Sequence, residues 1–166
     1  MIVLKTNYGA ITVELDFEKA PISSANFLQY AEDGFYDGTL FHRVVDNFMI
    51  QGGGFDTAMH EKANRECIEN EADHGLANLI GTLAMARTAD PQSATSQFFI
   101  NISDNDFLNH RSKTDQGWGY AVFGRVTDGM DVVNKITNCE TASAGGHQDV
   151  PVTEVIIESA TVTQEN

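Results

Sequence analysis

The chain reads as a mainly β protein, a closed eight-stranded antiparallel β-barrel capped by two α-helices, with residues 1–166 forming one domain. Three observations point there. Short apolar runs with period-two alternation recur from one end of the chain to the other. Glycine is frequent, at 14 residues, and proline rare, at 3, which suits a fold of many tight turns. Only two stretches, near 21–33 and 129–136, carry apolar residues at helical spacing.

In chain order, Ile2–Thr6 and Ile11–Leu15 predict a first hairpin, turned by Asn7-Tyr8-Gly9. Ala20-Pro21 opens a helix whose stripe is Phe27, Tyr30 and Ala31, with Leu28 beside it, and Asp33-Gly34 closes it. Two short strands follow in Phe41–Phe55, around a tight Asp46-Asn47 turn and ending in a triple glycine. Residues 56–81 lack regular pattern, and a loop this long inside a compact domain is usually functional or packed by its own side chains. Thr82–Arg87, Gln97–Asn101 and Ala121–Val126 resume strand character, and Val155–Val162 supplies the last strand. Between Asp128 and Ile136 a short helix is expected from Met130, Val133 and Ile136.

Composition excludes several function classes. With 24 acidic and 10 basic residues the net charge is −14, a surface that repels phosphate backbones and anionic lipid, so neither nucleic acid nor membrane is an expected partner. Cys67 and Cys139 are the only cysteines, with no CxxC, and both thiols are expected to be reduced. The first residues run straight into strand pattern and no apolar run reaches membrane-spanning length, so a cytoplasmic location is the expectation, and with nothing in the chain demanding a dimer the default is a monomer. His60, Cys67 and His74 sit at spacings that fit no metal motif, and Asp104-Asn105-Asp106 lacks the glycine and terminal glutamate of a calcium loop. There is no GxSxG elbow, no HExxH, and no Lys-Ser/Thr after Gly52-Gly53-Gly54. Catalysis here must work without metal, cofactor or covalent intermediate.

The stretch Phe41–Phe55 is the most informative. Alternation puts Phe41, Arg43 and Val45 on one face, and Met49 with Gln51 on the neighbouring segment. A guanidinium among apolar residues is either snorkelling to water or hydrogen-bonded and in use. A second wall is predicted from Gln97, Phe99 and Asn101, an apolar ring between two amides, as a peptide backbone requires. His42 faces away from Arg43 by the same alternation and reads as structural. Trp118, between glycines, is either a lid or a core-closing side chain.

Taken together, Phe41-His42-Arg43, Phe48-Met49-Ile50-Gln51-Gly52-Gly53, Gly81–Ala86, Ser96–Ile100 and Val122-Phe123-Gly124 resemble the signature blocks of the cyclophilins, peptidyl-prolyl cis-trans isomerases. The blocks occur in order across almost the whole chain, and Gln116–Tyr120 with the triple glycine looks most like the bacterial cytoplasmic subgroup. The resemblance implies an eight-stranded barrel with two helices. It implies Arg43 as the main catalytic residue, positioned by Gln51, with Phe48, Met49, Phe99 and Leu108 forming a proline pocket. Ala86, Arg87, Thr88 and Gln97 would lie along the substrate backbone. Phe107 and Tyr120 take places where many eukaryotic members carry tryptophan and histidine, and Arg87 replaces a frequent asparagine. The expected partners are X-Pro segments of unfolded or flexible proteins, with weak cyclosporin affinity because Phe107 lacks an indole N–H. The alternative is a non-catalytic proline-peptide-binding module or folding chaperone.

Overall fold

The computed structural model describes residues 1–163. The first hairpin is β1 (Ile2–Thr6) and β2 (Gly9–Leu15), followed by α1 (Pro21–Glu32) and β3 (Thr39–Leu40). Next come β4 (Arg43–Val45), β5 (Met49–Gly52), β6 (Thr82–Met85), β7 (Phe98–Asn101) and β8 (Val122–Asp128). The chain ends with α2 (Met130–Thr137), β9 (Thr141–Ala144), β10 (His147–Pro151) and β11 (Ile156–Val162). Nine strands form one antiparallel sheet in the order β3-β11-β1-β2-β8-β6-β7-β5-β4, and β9 with β10 make a separate ribbon.

The architecture is mainly β with two helices, as expected, but the strand count and the closure differ. Among the described residues no ladder pairs the edge strands β3 and β4. Those strands are consecutive in the chain, separated by Phe41 and His42, so the sheet curls until its ends lie two residues apart. Leu40 N donates to Phe55 O at 2.9 Å and Gly53 N to Leu40 O at 3.3 Å, tying β3 to the segment after β5. Gly52 permits this approach, because a Cβ there would lie 2.5 Å from Leu40 O. The β9–β10 ribbon was not anticipated, although Gly145-Gly146 between two short strands is a standard hairpin signal.

The core lies between the sheet and its helices. Phe27 packs at 5.0–5.1 Å from the rings of Tyr36, Phe98 and Phe123, and the expected stripe of Phe27, Tyr30 and Ala31 is buried. The first turn of α1 has Pro21 but no capping side chain of its own. Its exposed donors are met from the long loop instead: the buried Glu71 carboxylate accepts from Ile22 N (3.2 Å) and Ser23 N (2.6 Å). On α2, Val132, Val133 and Ile136 are buried while Met130 is half-buried.

One expectation about faces needs correcting. Phe41 is buried in the main core with Val44 and Ile50, and not on the face of Arg43. The strand begins only at Arg43, so the two-residue alternation does not extend back to Phe41.

Candidate active site

Strand register brings the predicted residues together. Arg43 lies opposite Gln51, Gln51 opposite Phe99, and Phe99 opposite Ala84, one rung across β4, β5, β7 and β6. The adjacent rung, Val44–Ile50–Ile100–Leu83, projects to the other side and joins the main core. Period-two geometry therefore sorts this patch into a core face and a site face. On the site face, buried Met49, Ala86, Phe99, Leu108 and Val122 form a second apolar cluster, with Phe48 and Tyr120 packed against it.

A cavity of about 170 Å³ opens on this cluster, lined by Phe48, Met49, Phe99, Leu108 and Tyr120, with Arg43, Gln51, Ala86 and Arg87 completing it. Arg43 is half-buried, and its Nη1 donates to Gln51 Oε1 at 3.4 Å. Gln51 is oriented in turn, because its Nε2 donates to Gln97 Oε1 at 3.0 Å. The guanidinium thus has a neutral partner, and among the described residues no ion pair neutralises it. Gly54 makes room for the relay, since a Cβ there would collide with the Gln97 side chain.

Thr88 and Gln97 fall outside this cavity and line an adjoining groove of about 400 Å³, which shares Gln51, Ala86 and Arg87 with it. Glu61, Asn64, Cys67, Ser93 and Thr95 also line that groove. They escaped sequence reasoning because they come from two irregular segments with no period to read. Phe107 lies outside both cavities, 64% exposed, with its ring 5.6 Å from that of Phe48.

Arg87, expected along the substrate backbone, has a firmly placed side chain. Its Nε and Nη2 donate to Gly119 O at 3.1 and 2.9 Å, its Nη1 donates to Thr88 O at 2.9 Å, and it stacks 4.4 Å over the Tyr120 ring. It braces the wall that Tyr120 supplies.

Asn101 departs from expectation. It does not present an amide to a peptide but is fully buried in an asparagine network under the site. Its Nδ2 donates to Asn78 Oδ1 and Thr82 Oγ1, both at 3.0 Å, and its Oδ1 accepts from Asn105 Nδ2 at 2.8 Å. Asn105 Nδ2 also donates to Phe48 O, and Asn78 Nδ2 donates to Tyr120 O and Asn109 Oδ1. Tyr120 N donates to Leu108 O at 2.8 Å, so this network holds both Leu108 and Tyr120 at the cavity. Trp118 is neither lid nor core: its ring packs 5.1 Å from His110, whose Nδ1 meets Trp118 O at 2.9 Å.

His42 is buried against Phe55 (4.6 Å) and His147 (6.2 Å), in keeping with its reading as structural. Burial, reinforced by His147 and Arg43, lowers its pKa from 6.5 to about 4, so it is neutral at physiological pH. His60, Cys67 and His74 are exposed, and both cysteines are unpaired. Among the described residues no helix is long and apolar enough to cross a membrane.

A curled antiparallel sheet with two helices and a guanidinium beside a small cavity on the face away from the main core defines a class, and the comparisons agree. The family model described as cyclophilin type peptidyl-prolyl cis-trans isomerase/CLD matches residues 1–162. The chain is 56% identical over 164 residues to peptidyl-prolyl cis-trans isomerase B of Escherichia coli (strain K12), covering 99% of this chain and 100% of that one. It is 58% identical over 166 residues to a peptidyl-prolyl cis-trans isomerase of Acinetobacter baylyi, covering 100% of this chain and 87% of that one. A Cryptosporidium parvum cyclophilin-type isomerase, crystallised in the presence of the dipeptide Ala-Pro, superposes with a TM-score of 0.79 at 29% identity over 99% of each chain. The chain belongs to the cyclophilin-type peptidyl-prolyl cis-trans isomerase family.

Proposed function

We propose that this chain accelerates cis–trans isomerisation of X-Pro bonds in unfolded or flexible proteins, with Arg43 as the catalytic residue. The observation that carries the reading is a half-buried guanidinium, held by a neutral amide, at the edge of a small cavity backed by an apolar cluster. Resonance holds the peptide bond planar behind a barrier of ~18–20 kcal/mol. Twisting the bond localises the lone pair on the prolyl nitrogen. Arg43 donates to that lone pair, an interaction stronger in the twisted state than in the planar one.

Gln51 holds Arg43 in place, and Gln97 holds Gln51. Phe48, Met49, Phe99 and Leu108 grip the pyrrolidine ring and exclude water, while Tyr120 closes the wall braced by Arg87. Backbone groups of Ala86 and Thr88, along the adjoining groove, keep one side of the bond still. Lowering the barrier by about 7 kcal/mol gives about 10⁵-fold acceleration. No proton, metal or cofactor is needed, and neutral His42 stays out of the chemistry. The chain acts as a single-domain monomer, and its two unpaired thiols, Cys67 exposed among them, suit the reducing cytoplasm.

The test is NMR exchange of a short Ala-Pro peptide with wild type and Arg43→Ala. Loss of one preorganised donor predicts an exchange rate about 100–1,000-fold lower, with peptide binding retained. Binding without exchange in the wild type would make the protein a proline-peptide receptor instead.

A further inference from the structure

We infer that a second groove, between the end of β2 and the loop leading into β6, docks a basic, apolar segment of another polypeptide. This groove, of about 510 Å³, is some three times the size of the proline cavity at about 170 Å³. Phe17 and Leu79 form its apolar walls and are 50% and 48% exposed, while half-buried Leu76 and buried Val122 extend the lining. Large side chains left in water are ordinary when scattered, but a contiguous set around a concavity marks a binding surface.

Charge decides the occupant. Glu14, Asp16 and Glu18 line the same groove, and Arg125, its basic member, sits 3.4 Å from Glu14. Asp16 Oδ1 accepts from Lys19 N at 2.9 Å, whereas Glu18 projects into solvent. An apolar cleft edged by carboxylates on a chain of net charge −14 attracts Lys- and Arg-bearing apolar segments and repels lipid headgroups and nucleic acid. A second copy of this chain fits poorly, because a two-fold contact would set the same carboxylates against one another. Leu76 and Val122 also touch the apolar cluster of Met49, Phe99 and Leu108, so the groove abuts the proline site without including Arg43.

The probe is a fluorescein-labelled, proline-free peptide, KLFKLLKFK, followed by anisotropy and by amide chemical shifts of the protein. Micromolar binding is expected, with shifts centred on Leu79, Thr82 and Gly124. Phe17→Ser with Leu79→Ser should raise Kd at least tenfold while Ala-Pro exchange stays at the wild-type rate, which also verifies folding. Glu14→Gln with Glu18→Gln, or salt raised from about 0.05 to 0.5 M, should raise Kd about fivefold as the attraction is screened. Three results would each overturn the proposal. One is no binding at about 1 mM peptide, and another is shifts centred on Gln51 and Phe99. The third is a wild-type dimer that Phe17→Ser with Leu79→Ser dissolves, which would assign the groove to a second copy.

Discussion

Asn78→Ala probes the buried network that carries the far wall of the proline site. The substitution deletes three hydrogen bonds: Asn78 Nδ2 to Asn109 Oδ1 at 3.1 Å, Asn78 Nδ2 to Tyr120 O at 3.2 Å, and Asn101 Nδ2 to Asn78 Oδ1 at 3.0 Å. At about 1 kcal/mol net for each bond, the expected loss of stability is about 3 kcal/mol. The damage is contained, because Asn101 Nδ2 keeps Thr82 Oγ1 and Asn109 Oδ1 keeps Asn78 N. Tyr120 O, however, loses the amide that held it. Since Tyr120 N is bonded to Leu108 O, both cavity residues loosen together. KM for an Ala-Pro peptide should therefore rise severalfold while kcat, set by Arg43, changes little. Urea unfolding followed by far-UV circular dichroism reads the stability, with Trp118 fluorescence as a second probe of two-state behaviour. A loss below about 1 kcal/mol, or a fall in kcat at constant KM, would refute the reasoning.

Two further perturbations follow from the same structure. His42 carries a pKa of about 4 when folded against 6.5 ordinarily, so the unfolded chain binds the extra proton between those values. Its contribution is complete above pH 6.5 and is lost as pH falls towards 4, up to about 3 kcal/mol. Unfolding curves at pH 7 and pH 4.5 should thus diverge less in His42→Phe than in wild type, and an equal divergence would remove His42 from the account. Phe107 is exposed beside Phe48, so Phe107→Trp can add an indole N–H and contact area without disturbing the core. It should raise cyclosporin affinity at least tenfold, as read by inhibition of Ala-Pro exchange, whereas nanomolar inhibition of wild type would contradict the role given to this position.

How much was legible in the sequence depends on how local the controlling physics is. Alternation along β5 and β7 correctly placed Met49 and Gln51 on one face and Phe99 opposite Phe98, because side chains of a strand change sides every residue whatever its neighbours do. Helical spacing found Phe27, Tyr30 and Ala31 for the same reason, and the Asp46-Asn47 pair found the turn between β4 and β5. Within the cyclophilin resemblance, Arg43, Gln51 and the cavity residues could be named from their blocks alone. What the tertiary structure decided is of another kind. Asn101 looked available to a peptide, yet it is fully buried, because Asn78 and Thr82, from the end of the long loop and the start of β6, join nearby Asn105 to satisfy its amide. Glu71 looked like one loop carboxylate among many, yet it caps α1 from 48 residues away. Arg87 became a brace for Tyr120 only when Gly119 O came within reach. In each case a deciding partner (Asn78 for Asn101, Ser23 for Glu71, Gly119 for Arg87) is distant in the chain, and sequence periodicity carries no information about which distant group will meet it.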